Sequence, residues 1–352
     1  MPDPTTTISK ESLMGPDHSP DGGPAARPPL PPRRAAAKVS GMTVRNPLAA
    51  TDIRIRGAWE RAIPLRLVPY SRLARWDRPI GAWLLLLPCW WGTALAAAAA
   101  PGFSALDTLM LVALFAVGAL AMRGAGCTYN DIVDRDYDAR VSRTAIRPLP
   151  AGHTTVFRAW AFIVLQGAVG LAVLLALEPG AILVGIGSIP LVLAYPFMKR
   201  VNHWPQAWLG LTFNWGALVG WAAVHGEVSG PAYALYAAGI AWTLGYDTVY
   251  AHQDKEDDAL VGVKSTALLF GARTPFWVSG FYAAALVLLA LAGWLAHLAW
   301  PFFAGLAVVA AQFAWQVRSL DIDDPDRCLA IFKSNRLAGL LVLAAIALGM
   351  AA

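Results

Sequence analysis

Two acidic segments are distinguished by residue type and spacing. The first is Asn130-Asp131-Ile132-Val133-Asp134-Arg135-Asp136-Tyr137-Asp138; the second runs from Asp247 through His252, Asp254, Glu256 and Asp257 to Asp258. On an α-helix turning about 100° per residue, Asn130, Asp131, Asp134 and Asp138 fall within about 100° of one face. Asp247, Asp254 and Asp258 fall within about 40° of one another; Asp136, Glu256 and Asp257 point elsewhere. Carboxylates gathered on one face repel each other unless a cation lies between them. Oxygen-only donors suit a hard ion, Mg2+ above all, and such an ion keeps positions open for substrate phosphates. Two faces of this kind can hold a diphosphate between them. His153, His203 and His252 are the only soft donors in these loops, which speaks against zinc. A third acidic run, Asp321-Ile322-Asp323-Asp324-Pro325-Asp326, contains a proline and presents no helical face, so it reads as a solvated loop.

Cationic and aromatic side chains accompany the acids. Arg123, Arg143, Arg147, Lys199, Arg200 and Lys264 occupy the same loops, where Lys as a point charge or Arg as a fork can bind a polyanion. Arg123, at a span end beside Asn130, and Lys264, just past Asp258, read as functional; Arg158, Arg318 and Arg327 read as topology signals. Tyr129, Tyr195, Trp215, Tyr246 and Tyr250 surround the acidic segments, and ring faces would favour a carbocation. Most of the other Trp and Tyr residues are expected at membrane interfaces or in packing.

The elements that position these residues must lie in lipid. The 352 residues are 57% hydrophobic and only 14% charged, against about 25% charged in soluble domains. Apolar stretches near the roughly 20 residues needed to span a bilayer recur at 80–100, 105–125, 156–177, 180–197, 205–225, 231–250, 275–297, 300–318 and 335–351. The expectation is an all-α integral membrane protein of nine transmembrane helices. Beyond the first span, Lys and Arg cluster in alternate connections only, and the turns near 101, 179, 228 and 299 have none. This bias predicts a cytoplasmic N-terminus, with the C-terminus on the opposite side and both acidic segments on the cytoplasmic side. The net charge of +5 therefore follows topology, and no nucleic-acid partner is expected. Residues 1–65 are rich in Pro and Arg and read as a disordered cytoplasmic tail, leaving 66–352 as the membrane domain. The acids Asp3, Glu11, Asp17 and Asp21 favour a bacterial inner membrane over the alternative, a mitochondrial inner membrane. Cys89, Cys127 and Cys328 are widely spaced and form neither a disulfide framework nor a zinc pattern.

At the acidic segments the chain resembles the UbiA superfamily of intramembrane aromatic prenyltransferases. The pattern N-D-x-x-D-x-x-x-D is met by Asn130, Asp131, Asp134 and Asp138, and D-x-x-x-D by Asp254 and Asp258, preceded by Tyr246-Asp247-Thr248. Longer strings are most similar to the members that prenylate 4-hydroxybenzoate: 123–128, 143–152, 195–200, 204–206 and 262–266. The likeness runs from about Arg72 to the C-terminus. It implies a helical bundle around a central cavity, capped by the loops after the second and sixth helices. It implies Mg2+ ligands among Asn130, Asp134, Asp254 and Asp258, with Asp131, Asp138 and Asp247 close by, and diphosphate contacts from Lys199, Arg200 and Lys264. The implied reaction moves a polyprenyl group from its diphosphate to the ring carbon ortho to the hydroxyl of 4-hydroxybenzoate, a step of ubiquinone biosynthesis. Arg123 or Arg78 would anchor the benzoate carboxylate. Other acceptors, haem or homogentisate, are the nearest alternative. A transporter is the competing class; the acids lie at one membrane side rather than near the midplane, which counts against it.

Overall fold

The computed structural model describes residues 62–140 and 144–350, apart from the side chains of Asp257 and Val261. All of them belong to the unit Arg45–Ala352. The expected tail, except 62–65, and Arg143 lie outside the described residues.

A short helix, Val68–Leu73, leads into the long helices. These are α1 (Ile80–Ala98), α2 (Ala105–Val133), α3 (Val156–Leu175), α4 (Pro179–Val201), α5 (Pro205–His225), α6 (Gly230–Ala251), α7 (Thr274–Leu295), α8 (Trp300–Arg318) and α9 (Pro325–Met350). Their ends follow local chemistry. Ser104 accepts the Asp107 N–H at the start of α2, and Thr155 accepts the Arg158 N–H at the start of α3. Proline occupies the first turn of α6, α7 and α8, where its missing N–H leaves no gap in the ladder. Gly226, at φ 76°, closes α5 in the left-handed conformation.

Two spans are interrupted. α4 breaks at Ser188, one residue before Ile189-Pro190, and the Ser188 hydroxyl donates to the Gly185 carbonyl at 2.7 Å. α5 breaks at Asn214, whose side-chain amide donates to the Gly210 carbonyl at 2.9 Å and to Thr243 Oγ1 at 2.8 Å. The side chain thus takes up a carbonyl that the broken ladder leaves open.

Among the described residues, eight helices are long and apolar enough to cross a bilayer. α6, expected as a further span, has 22 residues but is not one of the eight. Its Tyr, Gly and Thr residues and Asp247 make it less apolar, and 12 of its 22 residues are buried in the bundle. A helix enclosed by other helices does not need a lipid-facing surface. α9 begins ten residues before the expected span, because Pro325 stands at its first position rather than breaking it.

α1 packs on α5, α6 on α7, α2 on α3, and α9 on both α8 and α1. Small residues bring α1 and α5 close: a Cβ on Gly92 would lie 2.3 Å from the Ala217 carbonyl oxygen. The core joins Trp91, Trp242, Tyr246 and Phe332; the Trp91 indole N–H donates to the Gly339 carbonyl and that of Trp242 to Asn335 Oδ1, each at 2.8 Å.

Contacts between connections show which lie together. Lys199, ending α4, pairs with Asp134 after α2, and its carbonyl accepts the Lys264 N–H at 3.0 Å from the α6–α7 connection. Lys255, in that same connection, pairs with Asp323 between α8 and α9. The four connections rich in Lys and Arg therefore meet at one end of the bundle. At the other end His225 contacts the Ala96 carbonyl at 3.1 Å, and the Ala299 N–H donates to the Gly349 carbonyl at 3.2 Å. Asp323 is exposed and paired with Lys255, so the third acidic run is an anchoring point for the α6–α7 connection as well as a solvated loop.

Candidate active site

Two adjoining cavities open at the charged end of the bundle. The outer one, of about 230 Å³, is lined by Asn130 and Asp138 from the first acidic segment, by Asp247, Asp254 and Asp258 from the second, and by Arg147, Lys199 and Lys264. The inner one, of about 380 Å³, is bounded by Leu84, Leu85, Val192, Phe213 and Trp215 together with Arg75, Arg78 and Arg123. Asn130, Arg147, Tyr195, Asp247 and Tyr250 line both. The two acidic segments thus face one space, with an apolar chamber behind it.

The first segment reaches this space only in part. α2 ends at Val133, and Asp134, at φ −94° and ψ 2°, joins it to a short turn of helix, Arg135–Asp138. Asn130 and Asp138 border the cavity, whereas Asp131 and Asp134 are fully buried between cations. Asp131 accepts from Arg75 at 2.5 Å and from Arg147 at 3.2 Å. Asp134 is paired with Lys199 and with Arg200 at 3.0 Å. Arg147 also binds Asp138 at 2.6 Å. Burial raises the Asp138 pKa against the opposing pull of Arg147. For Arg75, burial works against the charge, but the Asp131 carboxylate together with Cys127 and Asp77 outweighs it, and the guanidinium is held charged. Arg75 has a φ of 59°, the left-handed region that non-glycine residues rarely enter, and its guanidinium binds the Arg72 carbonyl besides Asp131. Sequence reasoning did not single out Arg75; its one signal was its place just inside the region of likeness that begins at about Arg72.

The second segment is not one helix. α6 stops at Ala251, and Asp254 begins a separate helix, Lys255–Val261. Asp247, Asp254 and Asp258 still line the same cavity, so they converge through a bend rather than along one straight face. Asp136 is exposed and, among the described residues, paired only with its neighbour Arg135. His252 is buried against Thr274 at 2.9 Å. Burial, with Lys255 second, lowers its pKa to about 4, so it is neutral at pH 7.

Hydrogen bonds hold the α6–α7 connection over the cavity. Lys264 Nζ donates to the Val201 carbonyl at 3.1 Å, Thr248 and Thr266 share a hydroxyl contact at 2.7 Å, and the Thr266 N–H donates to Gln206 Oε1 at 3.1 Å. Tyr246 is buried and accepts from Thr243 at 3.1 Å; Tyr250 packs on Phe332 with ring centroids 4.3 Å apart. Besides Asp131 and Asp134, two further expected residues, Tyr129 and Arg200, do not border either cavity. Tyr129 donates to the Leu193 carbonyl at 3.3 Å and packs on Trp160. Arg200 binds Asp134 and the Val133 carbonyl and lies over the Tyr137 ring at 4.9 Å. Arg78 is paired with Asp77 at 3.0 Å. Arg123 makes no hydrogen bond or ion pair among the described residues: its Nε is buried without a partner, and its guanidinium stands 5.3 Å from the Phe213 ring centroid. Gly81 backs it, since a Cβ there would lie 2.4 Å from Arg123 Nη2.

The cavity donors are all oxygens, as a hard cation requires. Among the described residues no three His, Cys, Asp or Glu side chains converge closely enough to hold an ion by themselves. The arrangement suits an ion that takes one or two carboxylates and fills its remaining positions with substrate oxygens.

Residues 85–350 match the UbiA prenyltransferase family. The chain is 50% identical over 282 residues to a mitochondrial 4-hydroxybenzoate polyprenyltransferase of Aedes aegypti, covering 80% of this chain and 63% of that protein. It is 51% identical over 287 residues to the Bos taurus protein of the same name, covering 81% and 76%. The chain thus spans under two thirds of the mosquito relative and about three quarters of the bovine one. Among solved structures, the apo form of a UbiA homolog from Aeropyrum pernix K1 superposes with a TM-score of 0.62 at 26% identity, covering 76% of this chain and 96% of that one. A UbiA homolog from Archaeoglobus fulgidus bound to DMAPP and Mg2+ superposes with a TM-score of 0.61 at 20% identity, covering 80% and 98%. The fold, the paired acidic segments and a match across most of the chain agree: the chain belongs to the UbiA prenyltransferase family.

Proposed function

We propose that the protein transfers a polyprenyl group from a polyprenyl diphosphate to the ring carbon ortho to the hydroxyl of 4-hydroxybenzoate, releasing diphosphate, within ubiquinone biosynthesis. The observation that carries this is the joint lining of one cavity by Asn130, Asp138, Asp247, Asp254, Asp258, Lys199 and Lys264, set directly before an apolar chamber that contains Arg123. The relatives named for this activity support the choice of acceptor.

Asn130, Asp254 and Asp258, with Asp138, would hold Mg2+, and Asp134 could join them on release from Lys199 and Arg200. When bound, the ion supplies charge neutralisation for the leaving diphosphate. Lys199 and Lys264 bring ammonium groups to the same oxygens. The apolar walls take the allylic end of the donor and keep water from the developing cation, which Tyr246 and Tyr250 face from the inner chamber. A chamber of about 380 Å³ holds the reacting end and a benzoate but not a long isoprenoid. Met122, which lines it, is 43% exposed on the lipid-facing surface, so the chain can continue into the bilayer there. Arg123, which forms no ion pair among the described residues, is the stronger of the two candidates for the acceptor's carboxylate; Arg78 is already paired with Asp77. The relatives' names favour the mitochondrial inner membrane over the bacterial one that the acids of the tail suggested.

Membranes containing the protein, given labelled 4-hydroxybenzoate and a series of polyprenyl diphosphates, are expected to yield a prenylated acid detectable by mass spectrometry. EDTA should stop the reaction and Mg2+ restore it. Asp254→Ala should accumulate in membranes yet turn over at less than about a hundredth of the normal rate. Normal turnover by this variant, or activity in EDTA, would contradict the assignment.

A further inference from the structure

We infer that Gln206 is a diphosphate-binding residue, a hydrogen-bond donor that completes the cation-lined side of the outer cavity. This rests on the diphosphate reading of that cavity. Gln206 is the second residue of α5 and is 4% exposed. Its side chain has one partner among the described residues: Oε1 accepts the Thr266 backbone N–H at 3.1 Å. A backbone N–H can only donate, so this contact fixes which end of the amide is oxygen. The NH2 end is therefore set by the protein's own backbone and points away from Thr266. That nitrogen has no hydrogen-bond partner and is not sealed off with the buried unpartnered atoms. Gln206 lines the outer cavity together with Lys199, Lys264, Asp254 and Asp258.

A neutral donor held in this way suits phosphate oxygens. The carboxylates of the cavity are repelled by an oxyanion unless a cation intervenes, and the lysines are flexible point charges. An amide with its other end locked loses little freedom on binding, and its N–H groups become charge-assisted when they meet an anion. The same side chain ties the α6–α7 connection to the start of α5, so Gln206 couples the position of Lys264 and Ser265 to substrate binding.

Its two ends can be tested apart. Gln206→Glu keeps an oxygen for the Thr266 N–H but removes the donor; Gln206→Met removes both while keeping length and bulk. Binding of inorganic pyrophosphate with Mg2+ to the purified full chain is measured by calorimetry, beside thermal unfolding and the KM for polyprenyl diphosphate. Expected are pyrophosphate affinities at least about tenfold weaker in both variants, with the KM for the donor raised and that for 4-hydroxybenzoate little changed. Only Gln206→Met should lower the unfolding temperature. If Gln206→Glu binds pyrophosphate as tightly as the native chain, the side chain is only a strut and the inference fails, although the proposed activity stands. If the native chain binds no pyrophosphate and transfers no prenyl group, the proposed function itself fails, and this inference with it.

Discussion

At the scale of single residues, the site is governed by which charges are already matched. Asp131 and Asp134 look alike in sequence to Asn130 and Asp138, yet they are fully buried between cations. Removing one member of such a pair leaves an uncompensated buried charge. Arg75→Met is therefore expected to destabilise the protein by about 3 kcal/mol, read as a lower unfolding temperature in detergent; an unchanged melt would show that Arg147 alone suffices for Asp131. Arg123 is the opposite case, a guanidinium that forms no ion pair among the described residues, with Asp247 lining the same cavity and a glycine behind it. A methyl group at residue 81 would push against the flexible end of Arg123 rather than against backbone. Gly81→Ala should hence leave stability within about 1 kcal/mol but raise the KM for 4-hydroxybenzoate about tenfold or more, with the donor KM little altered. Equal changes in the two constants would remove Arg123 from the carboxylate site. Asn130, Asp131, Asp134 and Asp138 were legible as chemistry from their spacing; which acids were neutralised was not, because Arg75, Lys199 and Arg200 are 56, 65 and 66 positions away from their partners.

At the scale of elements, apolar length located the helices well, and residues with special backbone demands decided their ends. The stretches beginning at 80, 156, 205, 231, 275 and 300 start within one residue of the observed helices. The interruptions at Ser188 and Asn214 were not foreseen, since a break inside an apolar stretch does not change its hydrophobicity. Close helix contact was also hidden. Gly92 and Gly280 are both glycines in long apolar helices, but a Cβ at the first would meet the Ala217 carbonyl at 2.3 Å, and at the second would meet nothing within 4 Å. Gly92→Val is expected to cost about 3 kcal/mol or prevent assembly, whereas Gly280→Val should melt like the native protein. Comparable melts for the two variants would mean that α1 and α5 can separate without penalty.

At the scale of the whole molecule, the connections after α2, α4, α6 and α8 meet at one end, joined by Asp134 to Lys199, Lys264 to Lys199 and Lys255 to Asp323. Single cysteines placed at exposed Glu256 and Asp326 should react with an impermeant maleimide from one face of sealed vesicles, and one at Glu227 only from the other. The native cysteines are buried and should contribute little background. Labelling of all three from one face would overturn the alternation. The amino-acid sequence by itself determined that this chain lives in a bilayer, how its charged connections alternate, and that two acidic segments stand in those connections. Those properties depend on composition and local periodicity, which every residue carries with it. Only the tertiary structure decided that the second segment converges through a bend, that half of the first is held by distant cations, and that Arg123 and Gln206 present unpartnered donors to the cavities. Pairing of this kind depends on which side chains the packed helices bring together across tens of positions, and local spacing has no access to that.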